Sequence, residues 1–395
     1  MIANIGTLDG LVIADFSRVL AGPYATMLLA DLGAEVVKIE HPAGDDTRVW
    51  GPPFDASGTA TYFAAVNRNK TSRTLDLRTP QGLAAARELV GRADVVVENF
   101  RAGAMARLGL GPDQVRRDRP ELVYCSITGF GAGEGAALPG YDLLVQAVGG
   151  LMSITGPHPG SPTKVGVALV DVITGLHAAV GILAALRHRD RTGQGQVVEV
   201  NLLSSLLSAL TNQASGFLGA GVVPSIMGNR HPSIAPYEVF ETADRPLVLA
   251  VGNDRQFGAL CTVLGRPQLA TDPRFLTNTD RVTNRAALFD ELTALLKARG
   301  ASEWFDLLTE ARVPAGPIND IADAFALAAR LGLEPVVTVP GAPSPAVANP
   351  IRLSVTPASY RLPPPPLAPP ADRFLPAPPE TRKKTDSYGS DGPFA

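Results

Sequence analysis

Short apolar runs alternate with amphipathic stretches through the first half of the chain. LVIADF (11–16) and EVVKIE (35–40) have the near-continuous apolar character of strands covered on both faces. Between them, AGPYATMLLADLGA reads as a helix with Pro23 in its first turn. The rhythm continues with a strand in TSRTLDL (71–77), a helix over residues 80–90, and strands in DVVVENF (94–100) and LVYCSITGF (122–130). Strand, helix, strand in succession predicts a doubly wound, largely parallel α/β sheet. Such sheets bind ligands outside the carboxyl ends of their strands. The polar residues expected there are Ser17, Arg18, His41, Asn99, Arg101 and Asp171.

After helical segments from 201 to about 218 the pattern changes. SIAPYEVFETADRPLVLAVG (233–252) predicts two antiparallel strands joined by a turn at 244–246, followed by amphipathic helices at 254–264, 285–298 and 301–311. This divides the chain into the first part of a large domain (1–224), a smaller α+β domain (225–323) and a return to the large domain (324–365). The return holds a helix over 322–331 and the strand-like EPVVTV. PPPPLAPP (363–370) predicts extended or polyproline II chain, and residues 366–395 read as a Pro-rich, disordered tail.

Composition narrows the class without naming a function. A chain of 395 residues with 45% apolar and 18% charged residues reads as an ordered protein, long enough for two domains or one elaborated one. A net charge of −3 gives no electrostatic footprint for nucleic acid or an anionic membrane. The two cysteines, Cys125 and Cys261, form no CxxC and suggest neither a disulfide framework nor a zinc site, so a reducing cytoplasm is expected. The apolar stretch 165–186 is long enough to span a bilayer. It carries Asp171 and His177, and an Asp near a membrane-helix centre costs about 2.5–3.5 kcal/mol, so a buried strand and helix is the expected reading.

That stretch, VGVALVDVITGLHAAVGILAAL, contains the chain's most informative residue. An ionised Asp171 in such surroundings is costly unless the fold supplies partners. A strand over 165–170 and a helix over 173–186 place Asp171 at the joint, where helix N-terminal amides hold a carboxylate. Simple N-capping and a chemical role both fit that position.

Common nucleotide and hydrolase motifs are absent. The turn after the first strand, SRVLAGP, has one glycine where a pyrophosphate-binding turn needs several. GFGAGEG (129–135) lacks the GxGxxG spacing and predicts a loop. No GxxxxGK[ST] or GxSxG occurs, and the five histidines show no metal-ligand spacing.

Several long blocks resemble the class III CoA-transferases, the CaiB/BaiF family, over about residues 8–360. They include ADFSRVLAGPYATMLLADLGAEVVKIEHPAGDDTR, NRNKTSRTLDLRTPQG, DVVVENFRAGAMARLGLG, PGYDLLVQAVGGLMSITG, VDVITGLHAAVGILAAL and GNRHPSIAPYEVF. The resemblance implies a Rossmann-like large domain built from both ends of the chain, a small domain, and a homodimer of interlocked rings. It places the family's nucleophilic aspartate on Asp171. It implies acyl-CoA and carboxylic acid substrates, with coenzyme A entering as part of the substrate and no tightly bound cofactor or metal.

The family's CoA-contacting positions fall on Val19, Leu20, His41, Leu75, Asp76, Arg78, Asn99, Phe100, Arg101 and Arg107. Forked guanidinium donors suit a ligand with a 3′-phosphate and a pyrophosphate, and Phe100 suits adenine. Gly149 and Gly150 are expected to let backbone approach the reacting thioester. Arg230 and His231, in GNRH, are expected to receive a second substrate carboxylate. Two departures stand out: Pro139 replaces a lysine of formate- and oxalate-specific members, and the C-terminal Leu-Gly-(Glu/Gln)-His-Thr block is replaced by PPPPLAPPADRFLPAPPETRKK.

Two other functions fit the same fold. An α-methylacyl-CoA racemase would carry Gly-His-Asp where this chain has Gly140-Tyr141-Asp142, and Tyr, with an ordinary pKa near 10, is a poor base at neutrality. A non-catalytic acyl-CoA-binding homologue would have lost its nucleophile. Within the transferases, GNRHPSIAPYEVF and AVGNDRQF look most like the branch acting on succinyl-CoA and dicarboxylates such as glutarate.

Overall fold

The computed structural model describes residues 6–369. Six strands form one parallel sheet: β1 (Val12–Asp15), β2 (Glu35–Glu40), β3 (Lys70–Thr74), β4 (Val95–Glu98), β5 (Val123–Thr128) and β6 (Val197–Asn201). Their spatial order is β3-β2-β1-β4-β5-β6, and every neighbouring pair is parallel. The order reverses between β1 and β4. Chain leaving the carboxyl ends of these two strands therefore diverges to opposite sides and opens a crevice between them.

Period-two alternation splits the strand side chains into two cores. Ile13, Val36, Val95, Val97, Val123 and Cys125 face α1 (Ala21–Asp31) on one side. Ala14, Val37, Ile39, Val96 and Tyr124 face α2 (Pro80–Arg92) on the other. This double coverage explains why the strands read as apolar runs rather than alternating ones. β6, unforeseen in the sequence, extends the sheet beyond β5.

Two further helices shape the crevice. α3 (Asp142–Val148) is short. α4 (Leu169–Thr192) is the longest helix described and buries Val170, Thr174, Ala178, Ile182 and Ala185 along one face. By length and composition alone it is apolar enough to cross a membrane; its Ala178–Leu186 stretch contributes to the core that also holds α1. The expected strand over 165–170 does not form, and the helix begins four residues earlier than 173. After α5 (Leu202–Ala209) and α6 (Thr211–Ala220), a three-stranded sheet of β7 (Tyr237–Phe240), β8 (Leu247–Ala250) and β9 (Ala315–Pro317) carries its own core from Ala235 to Val313. Its first hairpin is antiparallel, as the sequence predicts.

The C-terminal segment returns to the large sheet along its β3 edge. Asn69 donates its amide N–H to the Leu362 carbonyl (2.9 Å), Arg48 donates to the Pro365 carbonyl (3.1 Å), and Thr74 donates to the Ala368 carbonyl (2.6 Å). The Pro-rich run is extended, with no helix or strand assigned through residue 369, and Pro365 is buried. The expected tail from 366 is therefore docked as far as Ala368. The rest of it lies outside the described residues.

Candidate active site

At the switch point the turn Ser17–Leu20 leaves β1 and Asn99–Arg101 leaves β4. Both line a cleft of about 280 Å³ whose other walls include Asp46, Phe130, Pro139, Tyr141 and Asp171. The β1 turn is strained. Val19 has φ +66°, a left-handed conformation that is a true outlier for a β-branched residue. Such strain costs on the order of 1–3 kcal/mol and persists only where surrounding structure fixes it.

Side chains from other elements supply that fixing. Asn99 accepts the Arg18 backbone N–H (2.8 Å) and donates to the Arg18 carbonyl (2.7 Å). Lys38 donates to the Ser17 carbonyl (2.9 Å), and the Asp45 carboxylate accepts the Val19 N–H at 3.3 and 3.4 Å. Asp15 accepts both the backbone N–H of Ser17 and its hydroxyl. Asn99, expected to contact CoA, is thus already committed to shaping the turn.

Asp171 occupies the first turn of α4, three residues after its N-cap position at Ala168. It does not cap the helix. That role falls to Asp142, at the start of α3, which accepts the N–H of Val170 (2.8 Å) and of Asp171 (3.2 Å). Gln146 donates to the other Asp142 oxygen (2.5 Å) and accepts from Val165 N–H (2.9 Å), tying the approach to α4 onto α3. Burial, and then the neighbouring Asp142 charge, push the Asp171 carboxyl up to about 7. The result is a carboxylate of raised basicity facing a cleft. Tyr62 lies within the field of both carboxylates: burial, then Asp171, then Asp142 raise its phenol.

A glycine sets the distance between the two halves of the site. Gly175 lies four residues after Asp171, on the same face of α4. A Cβ there would stand 2.6 Å from the Ala21 carbonyl oxygen at the start of α1. The helix that carries Asp171 is therefore pressed against the helix that follows the Val19 turn.

Eight of the ten expected CoA-binding residues fall into two groups. Val19, Leu20, Asn99, Phe100 and Arg101 line the cleft with Asp171. His41, Asp76 and Arg78 form a separate exposed cluster, where Arg78 makes two contacts of 2.9 Å to Asp76 and one of 3.2 Å to the His41 ring. The Leu75 side chain is buried in the core, leaving its backbone alone available to a ligand. Arg107 ends a single helical turn, Ala104–Arg107.

The structure does not bring the other four expected residues to the cleft. Gly149 is a packing position, since a Cβ there would lie 2.5 Å from Leu206 Cδ2 and 2.7 Å from the Val145 carbonyl oxygen. Gly150 takes φ +88° to start the next helical turn. Arg230 donates to the Met227 carbonyl (3.1 Å), and the His231 ring packs on Tyr237 with centroids 5.2 Å apart. The residues that sequence reasoning missed are Asp142, Lys38 and Asp45. Lys38 had a signal, a lysine inside the apolar run EVVKIE; the other two are defined by contacts remote in sequence.

The model of CoA-transferase family III matches residues 8–368. The chain belongs to that family. It is 44% identical over 380 residues to succinate–glutarate CoA-transferase of Agrobacterium fabrum, covering 91% of this chain and 92% of the relative. It is 43% identical over 325 residues to human succinyl-CoA:glutarate CoA-transferase, covering 82% and 74%. A CaiB/BaiF family crystal structure from Brucella suis superposes with a TM-score of 0.82 at 44% identity, covering 92% of this chain and 97% of that one. The protein is therefore a CoA-transferase.

Proposed function

We propose that this CoA-transferase moves CoA from succinyl-CoA to a dicarboxylic acid through covalent intermediates on Asp171. One Asp171 oxygen attacks the thioester carbonyl carbon. The carbon–sulfur bond breaks, giving a mixed anhydride and CoA thiolate. The thiolate then attacks the aspartyl carbonyl, succinate leaves with the bridging oxygen, and an aspartyl-CoA thioester remains. The acceptor carboxylate runs the two steps in reverse and restores Asp171. No net proton is exchanged, so the site needs no separate acid or base.

The observation that carries this reading is a carboxylate raised by burial, standing in the switch-point cleft with no cation paired to it among the described residues. Burial serves the chemistry twice: it keeps the carboxylate basic, and it excludes the water that would hydrolyse anhydride and thioester. Dicarboxylate substrates follow from the relatives' names at 43–44% identity. In this reading the CoA moiety runs from Asp171 past Val19, Leu20, Phe100 and Arg101 toward Arg107 and the His41–Arg78 cluster. Coenzyme A comes and goes with substrate, and no resident cofactor takes part.

We place the enzyme in the cytoplasm, as two interlocked chains with a large and a small domain each. Leu143, Val148, Leu207, Phe217 and Leu218 are exposed on α3, α5 and α6, an apolar surface that supports coverage by a second copy. Arg230 and His231, which do not line the cleft of their own chain, would in that assembly meet the acceptor's distal carboxylate.

Intact-protein mass spectrometry after mixing with succinyl-CoA tests the mechanism. The expected result is a CoA-sized adduct that hydroxylamine removes and that Asp171→Ala abolishes. An adduct that persists in Asp171→Ala would move the nucleophile elsewhere. Saturable CoA binding with no adduct from any acyl-CoA would overturn the covalent mechanism.

A further inference from the structure

Lys38 and Asp45 form an ion pair of 2.8 Å with both side chains fully excluded from solvent. Pairs of this kind contribute little to stability over apolar residues of the same size, so their retention calls for another explanation. Here each partner also holds the same turn. Lys38 holds the Ser17 carbonyl, and Asp45 holds the Val19 N–H. Asp45 also accepts the Thr47 N–H (3.0 Å) and hydroxyl (2.8 Å), which fixes the loop that presents Asp46 to the cleft. One buried carboxylate thus joins two cleft walls, one of them in a conformation that Val19 does not adopt unaided.

We propose that Lys38 and Asp45 are positioning residues that hold the left-handed Val19 turn, and the loop opposite it, in the shape that receives the CoA portion of the substrate. Neither touches substrate; both act through the backbone of residues 17–19. The inference rests on the reading of the cleft as the CoA site. It predicts that loss of the pair degrades donor binding while leaving the chemistry at Asp171 largely intact.

Asp45→Asn is the direct test, because its single amide oxygen cannot serve Lys38, Thr47 and Val19 as the two carboxylate oxygens do. The expected result is an acyl-CoA KM raised by about tenfold, with kcat within about threefold of wild type. General destabilisation gives a different pattern: active protein is lost, apparent kcat falls, and KM stays fixed. Should Asp45→Asn fail to fold, the double variant Lys38→Met/Asp45→Asn leaves no buried unpaired charge and is expected to show the same KM effect. An unchanged KM in a folded variant, or a kcat that falls more than KM rises, would overturn the inference. Calorimetric Kd for free CoA, measured on the same proteins, separates the two readings. Wild type that binds CoA but transfers from no donor counts against the proposed mechanism, while the Kd shift still decides the role of the pair.

Discussion

Asp142 and Asp171 meet at the first turn of α4, with the Asp142 carboxylate accepting the Asp171 backbone N–H at 3.2 Å. One acid therefore holds the other in place and also raises its pKa by charge. Asp142→Asn separates these effects, because an amide oxygen can still accept the N–H while the charge is gone. The pKa of Asp171 should fall but stay above the ordinary carboxylate range, since burial is the larger cause. The acidic limb of the kcat/KM–pH profile, expected near 7 in wild type, should move to lower pH. A limb that stays in place would show that Asp142 exerts no charge effect on Asp171.

The same pKa makes Asp171 a burden on the fold. Its carboxyl rises from 3.8 to about 7 on folding, so the protonated form favours the folded state and the ionised form opposes it. The favourable contribution is complete below 3.8 and is lost as pH rises through about 7. Asp171→Asn, which cannot ionise, should therefore melt higher than wild type at pH 8 and approach wild type at pH 4.5. Roughly three pKa units set an upper bound of about 4 kcal/mol. Equal melting-point differences at the two pH values would remove the linkage.

Asp171 was legible because a charge interrupts an apolar run, and the parallel sheet because double burial writes continuous apolar strands. The start of α4 was not. VGVALV has the β-branched density of a strand, yet it is drawn into the approach to a helix by Asp142 and Gln146, which lie about twenty to thirty residues earlier. β9 was equally hidden: Ala315–Pro317 contains glycine and proline and becomes a strand through its partner β8. Arg281, fully buried in the second core, reads as a surface residue until Asp254 is found 2.7 Å away. Where side chains converge from distant positions, periodicity carries no trace of it.

Packing of α4 on α1 gives a prediction about distance rather than charge. Gly175→Ala places a methyl 2.6 Å from the Ala21 carbonyl oxygen, which is backbone and cannot swing aside. Overpacking of this kind costs about 1–3 kcal/mol. The helix must shift away from the Val19 turn, so kcat should fall along with the melting temperature. Unchanged kcat with a lowered melting temperature would show that the turn and Asp171 tolerate separation.

Asp31 ties the C-terminal return to the sheet. Its buried carboxylate accepts from Arg68 (3.0 and 2.6 Å), Asn69 (2.8 Å) and Asn349 (3.1 Å). Asp31→Ala strands a buried guanidinium, for which about 3–5 kcal/mol is expected. Limited proteolysis should then cut first within the segment that Asn69 holds, around residues 359–362, before the large sheet opens. Simultaneous digestion of the whole chain would show that the return and the sheet unfold as one unit.

The Arg78 cluster tests where the far end of CoA lies. Arg78 spends two donors on Asp76, which is held down to about 2 by that arginine and by the Arg78 backbone N–H. A bound phosphate would have to compete with this carboxylate for the same guanidinium. Two substitutions should therefore act in opposite directions. Arg78→Ala removes the forked donor and should raise KM for acyl-CoA by about tenfold at low salt, with kcat unchanged. Asp76→Asn releases the arginine from its competitor and should lower KM, an effect that shrinks as added salt screens the exposed charges. Using a 3′-dephospho-CoA donor identifies the group that is read: if the 3′-phosphate sits here, both substitutions lose their effect on KM. Opposite shifts that survive with the dephospho donor would assign the cluster to the pyrophosphate, and no shift in either variant would remove it from the CoA site.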